Sequence, residues 1–548
     1  MIASSERTRV RWVSALMASL FVLVAAKGGV LAMSPAPAAG GVSSAFAETP
    51  TRADIVDRRG ELLATSVTVY SLFADPRAIW DPADVAAQLA GVFEGLDAGA
   101  LAARLENRDR AFVWVRRGLT PRQRQAVFDL GLEGLGFREE RRRAYPRGTL
   151  AGHVLGYTDI DGNGLAGIER SVDAHLKSSD APLALSLDSG LQFALEAELS
   201  DAAARHSVAG AAGVLIHGRT GDVLALASWP PINPNRAGQM PRDAAGRLDR
   251  ATRAVFELGS VYKPLTVAMA LEGGVVAPED IFDVAEPLAI GGFEITDDHA
   301  VPGGRASLTQ ILAESSNVGT VKIALDAGGE RLSGFYRALG LLERAPIDLP
   351  ASAAPLLPER WNEVTVATTS YGHGLAVTPL SFAAAFAVFA NGGEWVAPGL
   401  LQHGAENRPR RRVLSPQTAA RVTAMMREAV LDGTGLRADV PGYRIAGKTG
   451  TAEKPIAGGY SDTDNVSSFA AVFPAERPEY ALLIVLDTPQ AFDQEEADGV
   501  MTGTSAAFTA APTAGRVIGR IAPLLGLAPE GVEASPPADS VSETGSAL

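Results

Sequence analysis

The chain has 548 residues, 63 acidic and 49 basic side chains, a formal net charge of −14 and no cysteine. This length exceeds one ordinary domain, and a hydrophobic content of 47% is enough to build cores, so we expect two or more folded domains. The acidic balance, with no large basic patch, argues against nucleic-acid binding, and the absence of cysteine excludes disulfides, thiolate metal sites and cysteine nucleophiles.

The first predicted element is a membrane anchor. Three arginines lie in residues 1–11, before an apolar run over residues 12–33 that is long enough to cross the hydrocarbon core of a bilayer. The pattern predicts a cytoplasmic tail, a single span and an exported remainder. A cleaved signal peptide is the alternative, because Ala45-Phe46-Ala47 has the small-x-small form of a processing site.

The rest of the chain divides into a linker, two domains and a tail. Residues 34–51 are rich in Ala, Pro, Gly and Ser and predict a linker. Residues 52–205 carry mixed helix and strand signals and form the first predicted domain. Residues 206–526 form the second, which begins with a different pattern, that of two strands joined by a turn. Residues 527–548 are rich in Pro, Ser and Glu and predict a disordered tail.

Within the first domain the pattern predicts a strand over 67–73, helix over 84–105 and a turn-rich segment over 145–167. Leucines at four-residue spacing predict one long amphipathic helix over 187–204, which could be a hinge between the domains.

The second domain begins and ends with a hairpin signature. Strand signals at 214–216 and 223–227 flank a turn, and a second pair lies at 469–473 and 480–486. Helical runs occupy most of 260–390. This order predicts an α+β fold, in which an antiparallel sheet takes strands from both ends of the domain.

The first candidate for chemistry is Ser260-Val261-Tyr262-Lys263, which precedes an apolar run and should open a helix. Spacing of i and i+3 brings the Lys263 amine to the Ser260 hydroxyl, and an unprotonated lysine can activate a serine nucleophile. A capping serine followed by a surface lysine is the commoner meaning of this pattern. The chain has no other Ser-x-x-Lys and only six lysines, which favours the catalytic interpretation.

Two further segments could complete such a site. Ser315-Ser316-Asn317 offers a hydroxyl and an amide on a turn between helical runs, although alone it would be a helix cap. Lys448-Thr449-Gly450-Thr451 offers a second amine, and Gly450 would let a substrate backbone approach an edge strand. A second cation near Lys263 would favour the neutral form of that amine.

Other chemistries are less well supported. Residues 442–449 fit the phosphate-binding pattern G-x-x-x-x-G-K-T, but glycine and proline follow, so we expect no helix there and no nucleotide site. The seven histidines lack metal-ligand spacing, and we expect neither a metal nor a cofactor. His373, between two glycines, is the histidine of most interest.

Ser-x-x-Lys, Ser-x-Asn and Lys-Thr-Gly in this order resemble the signature of penicillin-binding proteins and serine β-lactamases. Segments that resemble the non-catalytic module of class B penicillin-binding proteins are 52–60, 145–146 and 164–169. Segments that resemble their transpeptidase domain are 257–260, 371–374, 378–379, 447–454 and 459–460. The chain is most similar to the division-type group (FtsI-like, penicillin-binding protein 3), with Ala53 and Leu258 standing where the family has Gly and Pro.

The fold that this resemblance implies is an α+β transpeptidase domain, an antiparallel sheet with helices on both sides, preceded by an elongated dimerisation-type pedestal module. The implied activity is serine-type D-Ala-D-Ala transpeptidation of peptidoglycan. The resemblance implies that Ser260 is the nucleophile and Lys263 its base, and that Ser315 and Asn317 relay protons and hold the peptide. Lys448, also a catalytic residue, and Thr449 would bind the substrate carboxylate. Gly450 and Thr451 are the other implied substrate-binding residues. The backbone N–H groups of Ser260 and Thr451 would form the oxyanion hole.

The resemblance also implies partners and a location. Stem peptides would be the substrate, β-lactams the inhibitors, and an FtsW-like membrane glycosyltransferase with divisome proteins the partners, at the bacterial inner membrane with the catalytic domain in the periplasm. Three alternatives stay open: an elongation-type class B transpeptidase, a hydrolase such as a β-lactamase or D,D-carboxypeptidase, and a β-lactam sensor. The anchor and the large N-terminal module argue against a secreted hydrolase, and a sensor should have further spans.

Overall fold

The computed structural model describes residues 52–530, apart from 351, 403, 457 and 492–502, together with scattered positions between 12 and 27. The predicted cytoplasmic tail (1–11), most of the predicted anchor (12–33), the linker (34–51) and residues 531–548 lie outside the described residues. Among the residues described, no helix combines the length and apolar character needed to cross a membrane.

The N-terminal part is built on a mixed sheet. Its strands are β1 (Ile55–Val56), β2 (Leu62–Ala74), β3 (Val113–Leu119), β4 (Leu135–Ala144) and β5 (Leu183–Ala184). Strand β2 pairs antiparallel with β1, β3 and β4, whereas β5 runs parallel to β1. The helices are α1 (Pro82–Val92), α2 (Ala98–Leu105), α3 (Pro121–Asp129), α4 (Gly152–Leu155), α5 (Gly167–Ser171) and α6 (Asp173–Ser178).

The helical pattern predicted over 84–105 forms two helices, α1 and α2. Gly95 has a φ of 74° between them, a conformation that glycine adopts without strain. Asp81 and Asp97 cap the two helices, because their side chains accept hydrogen bonds from backbone N–H groups of the first turn. The apolar residues of both helices pack into one small core, which is why their spacing continues across the break.

A buried ion network joins three segments of the N-terminal part. The carboxylate of Glu169 on α5 is fully buried and accepts hydrogen bonds from Arg52 Nε at 2.5 Å and Arg143 Nε at 2.6 Å. Arg52 also bonds Asp173 Oδ1 at 2.7 Å. The network fixes the start of the described chain to β4 and to α5, since a buried charge without a partner is costly.

From residue 189 onward short helices and strands surround a second sheet. In chain order the elements are α7 (Ser189–His206), β6 (Gly210–His217), β7 (Asp222–Trp229), α8 (Arg250–Arg253), α9 (Lys263–Glu272), β8 (Ile281–Asp283), β9 (Leu288–Ile290), β10 (Phe293–Ile295), β11 (Arg305–Ser307), α10 (Leu308–Ala313), α11 (Asn317–Ala327), α12 (Gly329–Ala338), α13 (Glu363–Ser370), α14 (Pro379–Phe386), β12 (Glu394–Val396), β13 (Arg410–Arg412), α15 (Pro416–Leu431), β14 (Ala446–Ile456), β15 (Gly459–Phe473), β16 (Tyr480–Asp487) and α16 (Ala510–Leu524).

Within the described residues this second sheet has five antiparallel strands in the order β14–β15–β16–β6–β7. Both predicted hairpins are present, as β6–β7 and β15–β16. Strand β14 lies at an edge, and it replaces the helix that a phosphate-binding loop would need after residue 449. The sheet therefore takes its strands from both ends of the domain, as the sequence predicts.

Apolar side chains cover both faces of this sheet. Along β6, Val214 faces one core and Leu215 the other, and Leu483 and Ile484 alternate in the same way on β16. Helices α7 and α16 cover one face, and helices that include α9 and α14 cover the other. The long helix predicted over 187–204 is α7, and it packs on the sheet. The observed architecture confirms the predicted α+β class with helices on both sides of the sheet.

Replacing Glu169 tests the buried ion network. We expect Glu169→Ala to destabilise the protein by about 3–5 kcal/mol, because Arg143 stays buried without a carboxylate and Arg52 keeps only Asp173. The measurement is the midpoint of thermal unfolding followed by circular dichroism.

The matched control is Glu61→Ala, which removes an exposed ion pair with Arg147. Such pairs contribute about 0–1 kcal/mol, so the control should unfold close to the wild-type midpoint. Equal shifts in the two variants would show that the Glu169 network does not stabilise the fold.

Candidate active site

Ser260 lies on a 3-10 turn, Gly259–Tyr262, that runs directly into α9. Gly259 has a φ of 63°, and a Cβ there would come within 2.6 Å of the Thr451 carbonyl oxygen, so the turn requires glycine. The Ser260 side chain is partly exposed, whereas Lys263 is fully buried. The hydroxyl is therefore open to a ligand while the amine is shielded from water.

The Lys263 amine is held by the turn between α10 and α11. Its Nζ donates to the Ser315 backbone oxygen, to Ser315 Oγ at 3.1 Å and to Asn317 Oδ1 at 2.8 Å. Three acceptors for three N–H donors compensate for the removal of the amine from water. The structure therefore brings together Lys263, Ser315 and Asn317, which the sequence singles out as separate motifs.

The i, i+3 spacing predicts that the Lys263 amine meets the Ser260 hydroxyl, but among the described residues no hydrogen bond joins these two groups. Within the described part of the chain, the acceptors of the Lys263 amine belong to Ser315 and Asn317. The amine thus lies in a polar cage next to the nucleophile turn.

Burial makes Lys263 a competent base. Desolvation lowers the pKa of Lys263 from 10.5 to about 7, although the nearby carboxylates of Asp297 and Asp298 act in the opposite direction. A large fraction of the amine is then unprotonated at neutral pH, which is the form that can take a proton from a hydroxyl.

Ser316 and Asp297 fix the turn that carries the cage. Ser316 caps α11, since its Oγ accepts from Gly319 N at 3.0 Å and donates to Asp297 Oδ2 at 2.7 Å. Asp297 Oδ1 also accepts from Val318 N at 2.9 Å. Ser315, between the two helices, has a φ of 60°, so the turn holds it in a left-handed conformation that costs energy outside glycine.

Strand β14 lies against the nucleophile turn. A Cβ on Gly450 would lie 2.2 Å from the Leu258 carbonyl oxygen, and Ser468 Oγ on β15 donates to that oxygen at 2.8 Å. Only glycine allows this approach. The contact uses the backbone of Leu258, whose side chain is fully buried, so leucine fits at the position where the resemblance predicts proline.

The second lysine of the site, Lys448, is also fully buried. Its Nζ donates to Thr449 O at 3.2 Å, to Thr449 Oγ1 at 3.3 Å and to Thr434 Oγ1 at 3.4 Å. Thr449 Oγ1 donates to Thr434 Oγ1 at 2.7 Å. Two hydroxyls and one amine are thereby collected beside the edge strand, an arrangement that suits a carboxylate.

The amines of Lys263 and Lys448 are close enough to influence each other. Burial and, second, the Lys263 cation lower the pKa of Lys448 well below its usual range. For Lys263 the cause is burial. Repulsion between the two amines acts in the same direction as burial, and the expectation that a second cation near Lys263 favours the neutral form of that amine stays a prediction.

Thr434 and Asp297 are the polar residues of the site that sequence reasoning missed. Thr434 lies in a loop after α15, where its backbone N–H donates to Ala313 O at 3.2 Å. Asp297 precedes α11 by twenty residues in a segment without a recognisable motif. Neither has a local signature, because each acts by its contact with a motif residue distant in the chain.

His373 lies in an aromatic wall near Lys263. Its ring centroid is 5.2 Å from that of Tyr371 and 5.8 Å from that of Tyr460, and Tyr460 Oη donates to Glu257 at 3.1 Å. Burial and the Lys263 cation lower the pKa of His373 to about 4, so the imidazole is neutral at pH 7. The histidine thus adds no charge beside Lys263.

Two family descriptions match the chain. The penicillin binding protein transpeptidase domain matches residues 211–506, and the penicillin-binding protein dimerisation domain matches residues 47–189. The first match covers the sheet and every motif of the site, and the second covers the N-terminal part.

Similar proteins are known from several bacteria. The probable peptidoglycan D,D-transpeptidase FtsI of Caulobacter vibrioides is 41% identical over 496 residues, 87% of this chain and 82% of that protein. The peptidoglycan D,D-transpeptidase FtsI of Escherichia coli is 33% identical over 80% of each chain. The crystal structure of Mycobacterium tuberculosis penicillin-binding protein 3 with aztreonam has a TM-score of 0.67 at 27% identity, covering 88% of this chain and 98% of that one.

The fold and the three converging motifs define a penicillin-binding protein with a transpeptidase domain and a dimerisation module. Within that class the chain belongs to the FtsI-like class B penicillin-binding proteins. The family resemblance predicted from the motifs is confirmed.

The basicity of Lys263 predicts a pH profile. We expect the rate constant for acylation by penicillin to fall about tenfold per pH unit below pH 6 and to level off above pH 8, because only the neutral amine accepts the proton. The measurement is the rate of fluorescent penicillin labelling between pH 5.5 and 9.

Lys263→Arg is the matched variant, because it keeps a positive charge that cannot act as a base. We expect it to lose labelling at every pH, with its thermal unfolding midpoint showing whether it is folded. A flat wild-type profile, or full labelling of a folded Lys263→Arg protein, would remove Lys263 from this role.

Proposed function

We propose that this protein is a peptidoglycan D,D-transpeptidase that cross-links stem peptides through an acyl-enzyme on Ser260. The observation that carries the proposal is the buried Lys263 amine, bonded to Ser315 and Asn317 beside the nucleophile turn, with a pKa lowered to about 7. The curated relatives in Caulobacter and Escherichia coli are D,D-transpeptidases by name, which supports the same activity here.

In the first step the Ser260 hydroxyl attacks the carbonyl of the penultimate D-Ala, and its proton passes to the neutral Lys263 amine. The tetrahedral intermediate collapses to an ester, and the terminal D-Ala leaves after its amine receives a proton. Ser315, 3.1 Å from the Lys263 amine, is placed to relay that proton. The step releases one D-Ala and leaves the serine acylated.

Developing negative charge on the carbonyl oxygen needs donors that are already in place. The backbone N–H groups of Ser260 and Thr451 are our candidates, because the Gly259 contact holds the backbone of Thr451 beside the turn. Removal of one such donor typically costs about 3–4 kcal/mol of transition-state stabilisation. Gly259 and Gly450 would therefore support catalysis because they let the backbone of β14 lie close to the Ser260 turn.

The C-terminal carboxylate of the donor peptide would bind Lys448, Thr449 and Thr434. Burial disfavours the charged amine when no anion is present, and a carboxylate at hydrogen-bond distance would restore the ammonium. Binding of the substrate carboxylate and protonation of Lys448 would then occur together. A substrate without that carboxylate would form no ion pair with Lys448.

The exposed edge of β14 would align the peptide. In the described residues β14 pairs only with β15, so its other edge is free to add an extended chain. Gly450 and the exposed Thr451 lie on this edge directly beside the nucleophile turn. The scissile carbonyl of an added strand would thus come close to Ser260.

In the second step the amine of a neighbouring stem peptide attacks the ester, loses a proton to the base and restores the Ser260 hydroxyl. A β-lactam would enter the same first step but leave an ester that this second step does not resolve. The relative from Mycobacterium tuberculosis is solved with aztreonam, which supports β-lactams as inhibitors of this protein.

The cellular role that we propose is septal cell-wall synthesis. Residues 12–33 would anchor the protein in the inner membrane as a single span, with the pedestal (52–205) and the catalytic domain (206–526) in the periplasm. An FtsW-like glycosyltransferase and other divisome proteins are the expected partners. An elongation role is the alternative within class B, and the similarity to FtsI of two bacteria favours division.

Replacing the nucleophile tests the acyl-enzyme. We expect Ser260→Ala to abolish covalent labelling by fluorescent penicillin, because the variant lacks the hydroxyl that forms the ester. Ser200→Ala, at an exposed position of α7, is the matched control and should label like the wild type.

A second experiment, with the wild type and the Ser200→Ala control, tests whether an amine or water accepts the acyl group. With a D-Ala-D-Ala donor peptide and an amine acceptor, wild type and Ser200→Ala should yield cross-linked product in excess of hydrolysed donor, measured by mass spectrometry. Hydrolysis alone at saturating acceptor would favour the carboxypeptidase alternative, and labelling of Ser260→Ala would contradict the mechanism.

A further inference from the structure

A cavity of about 430 Å³ lies apart from the catalytic residues. It is formed by residues of 152–170, which include α4 and α5, by residues of 232–253, which end in α8, and by residues 349 and 350. No residue that lines it belongs to the three catalytic motifs or to the aromatic wall around His373. Its volume lies within the range of small-molecule sites, about 300–1,000 Å³.

Four arginines line this cavity, and one of them has a structural role. The Arg247 guanidinium donates to Tyr157 Oη at 2.8 Å and to the backbone oxygens of Pro241, Ala237 and Met240 at 2.6–2.7 Å. Its donors are used to fold the 237–247 loop around itself. Arg247 therefore shapes the wall and contributes positive charge without offering free hydrogen bonds.

The other three arginines keep their donors free. In the part of the chain that the structure describes, the side chains of Arg170, Arg242 and Arg253 make no hydrogen bond or ion pair with a protein group. Arg170 lies on α5, Arg242 in the 237–247 loop and Arg253 at the end of α8, and all three are solvent-exposed. In a chain with a net charge of −14, three unpaired guanidinium groups around one cavity form a local positive site.

The one carboxylate in the lining does not neutralise them. Asp249 is buried, and its oxygens accept from Ser228 Oγ at 2.8 Å, from Ala251 N at 3.1 Å and from Thr252 Oγ1. His153 donates from Nε2 to Gly246 O at 2.8 Å, and burial lowers its pKa, so the imidazole is neutral at pH 7. With four guanidinium cations, one carboxylate and a neutral histidine in its lining, the cavity keeps a net positive charge.

We infer that this cavity is a binding site for a small dianion whose oxygens engage the guanidinium groups of Arg170, Arg242 and Arg253. Guanidinium groups bind carboxylate and phosphate oxygens through paired N–H donors, so three of them around one cavity suit a ligand that carries two negative charges. The ligand class is a phosphate-type or dicarboxylate dianion. The site is distinct from the Lys448 pocket, which would hold a single carboxylate beside Ser260.

The test measures binding by isothermal titration calorimetry to the full chain in detergent, at constant ionic strength. Sodium pyrophosphate and sodium succinate are the two ligands, and sodium chloride is the salt control. We expect saturable binding of at least one of these two anions and none of chloride. A preference for pyrophosphate would assign the phosphate class, and a preference for succinate the dicarboxylate class.

Arg170→Gln and Arg253→Gln should each weaken that binding about tenfold, because each removes a charged pair of donors worth roughly 1.4 kcal/mol. Arg421→Gln, at an exposed position on α15, is the matched control and should bind like the wild type. Penicillin labelling of Ser260 reports that each variant is folded. Absence of saturable binding, or unchanged binding in both cavity variants, would overturn the inference.

Discussion

The structure of the site depends on one constraint, the burial of an amine that must still find polar partners. Lys263 is fully enclosed, and the three acceptors that replace water lie on Ser315 and Asn317, more than fifty residues away in the chain. The α10–α11 turn must therefore lie against α9. Asp297 and Ser316 then hold that turn in place, and the low basicity of the amine follows from the same burial.

A second constraint is how closely backbones approach around Ser260. Cβ atoms at Gly259, Gly372 and Gly450 would lie within 2.2–2.6 Å of backbone oxygens of neighbouring segments, so any other residue would separate the strand from the nucleophile turn. These contacts place the edge of β14 beside the hydroxyl. The two constraints together leave Ser260 exposed to a ligand between a buried base and a free strand edge.

Much of this could be predicted from sequence, because the informative signals are local. Hairpins, the turn that carries Ser315 and the glycines next to the catalytic residues all have short-range signatures. Thr434 and Asp297 have none, because their roles arise from contacts with residues far along the chain. The break between α1 and α2 was missed for a related reason: both helices bury their apolar faces in one core, so the periodicity does not stop at Gly95.

The basicity of Lys263 is the quantity that tests this account most directly. With six lysines in the chain, labelling of lysine with ¹³C at Cε gives a spectrum in which the Lys263→Arg variant identifies one signal by its loss. We expect this signal to titrate with a pKa of about 7. Titration of Lys263 near 10.5, the ordinary value for a solvated lysine, would contradict it.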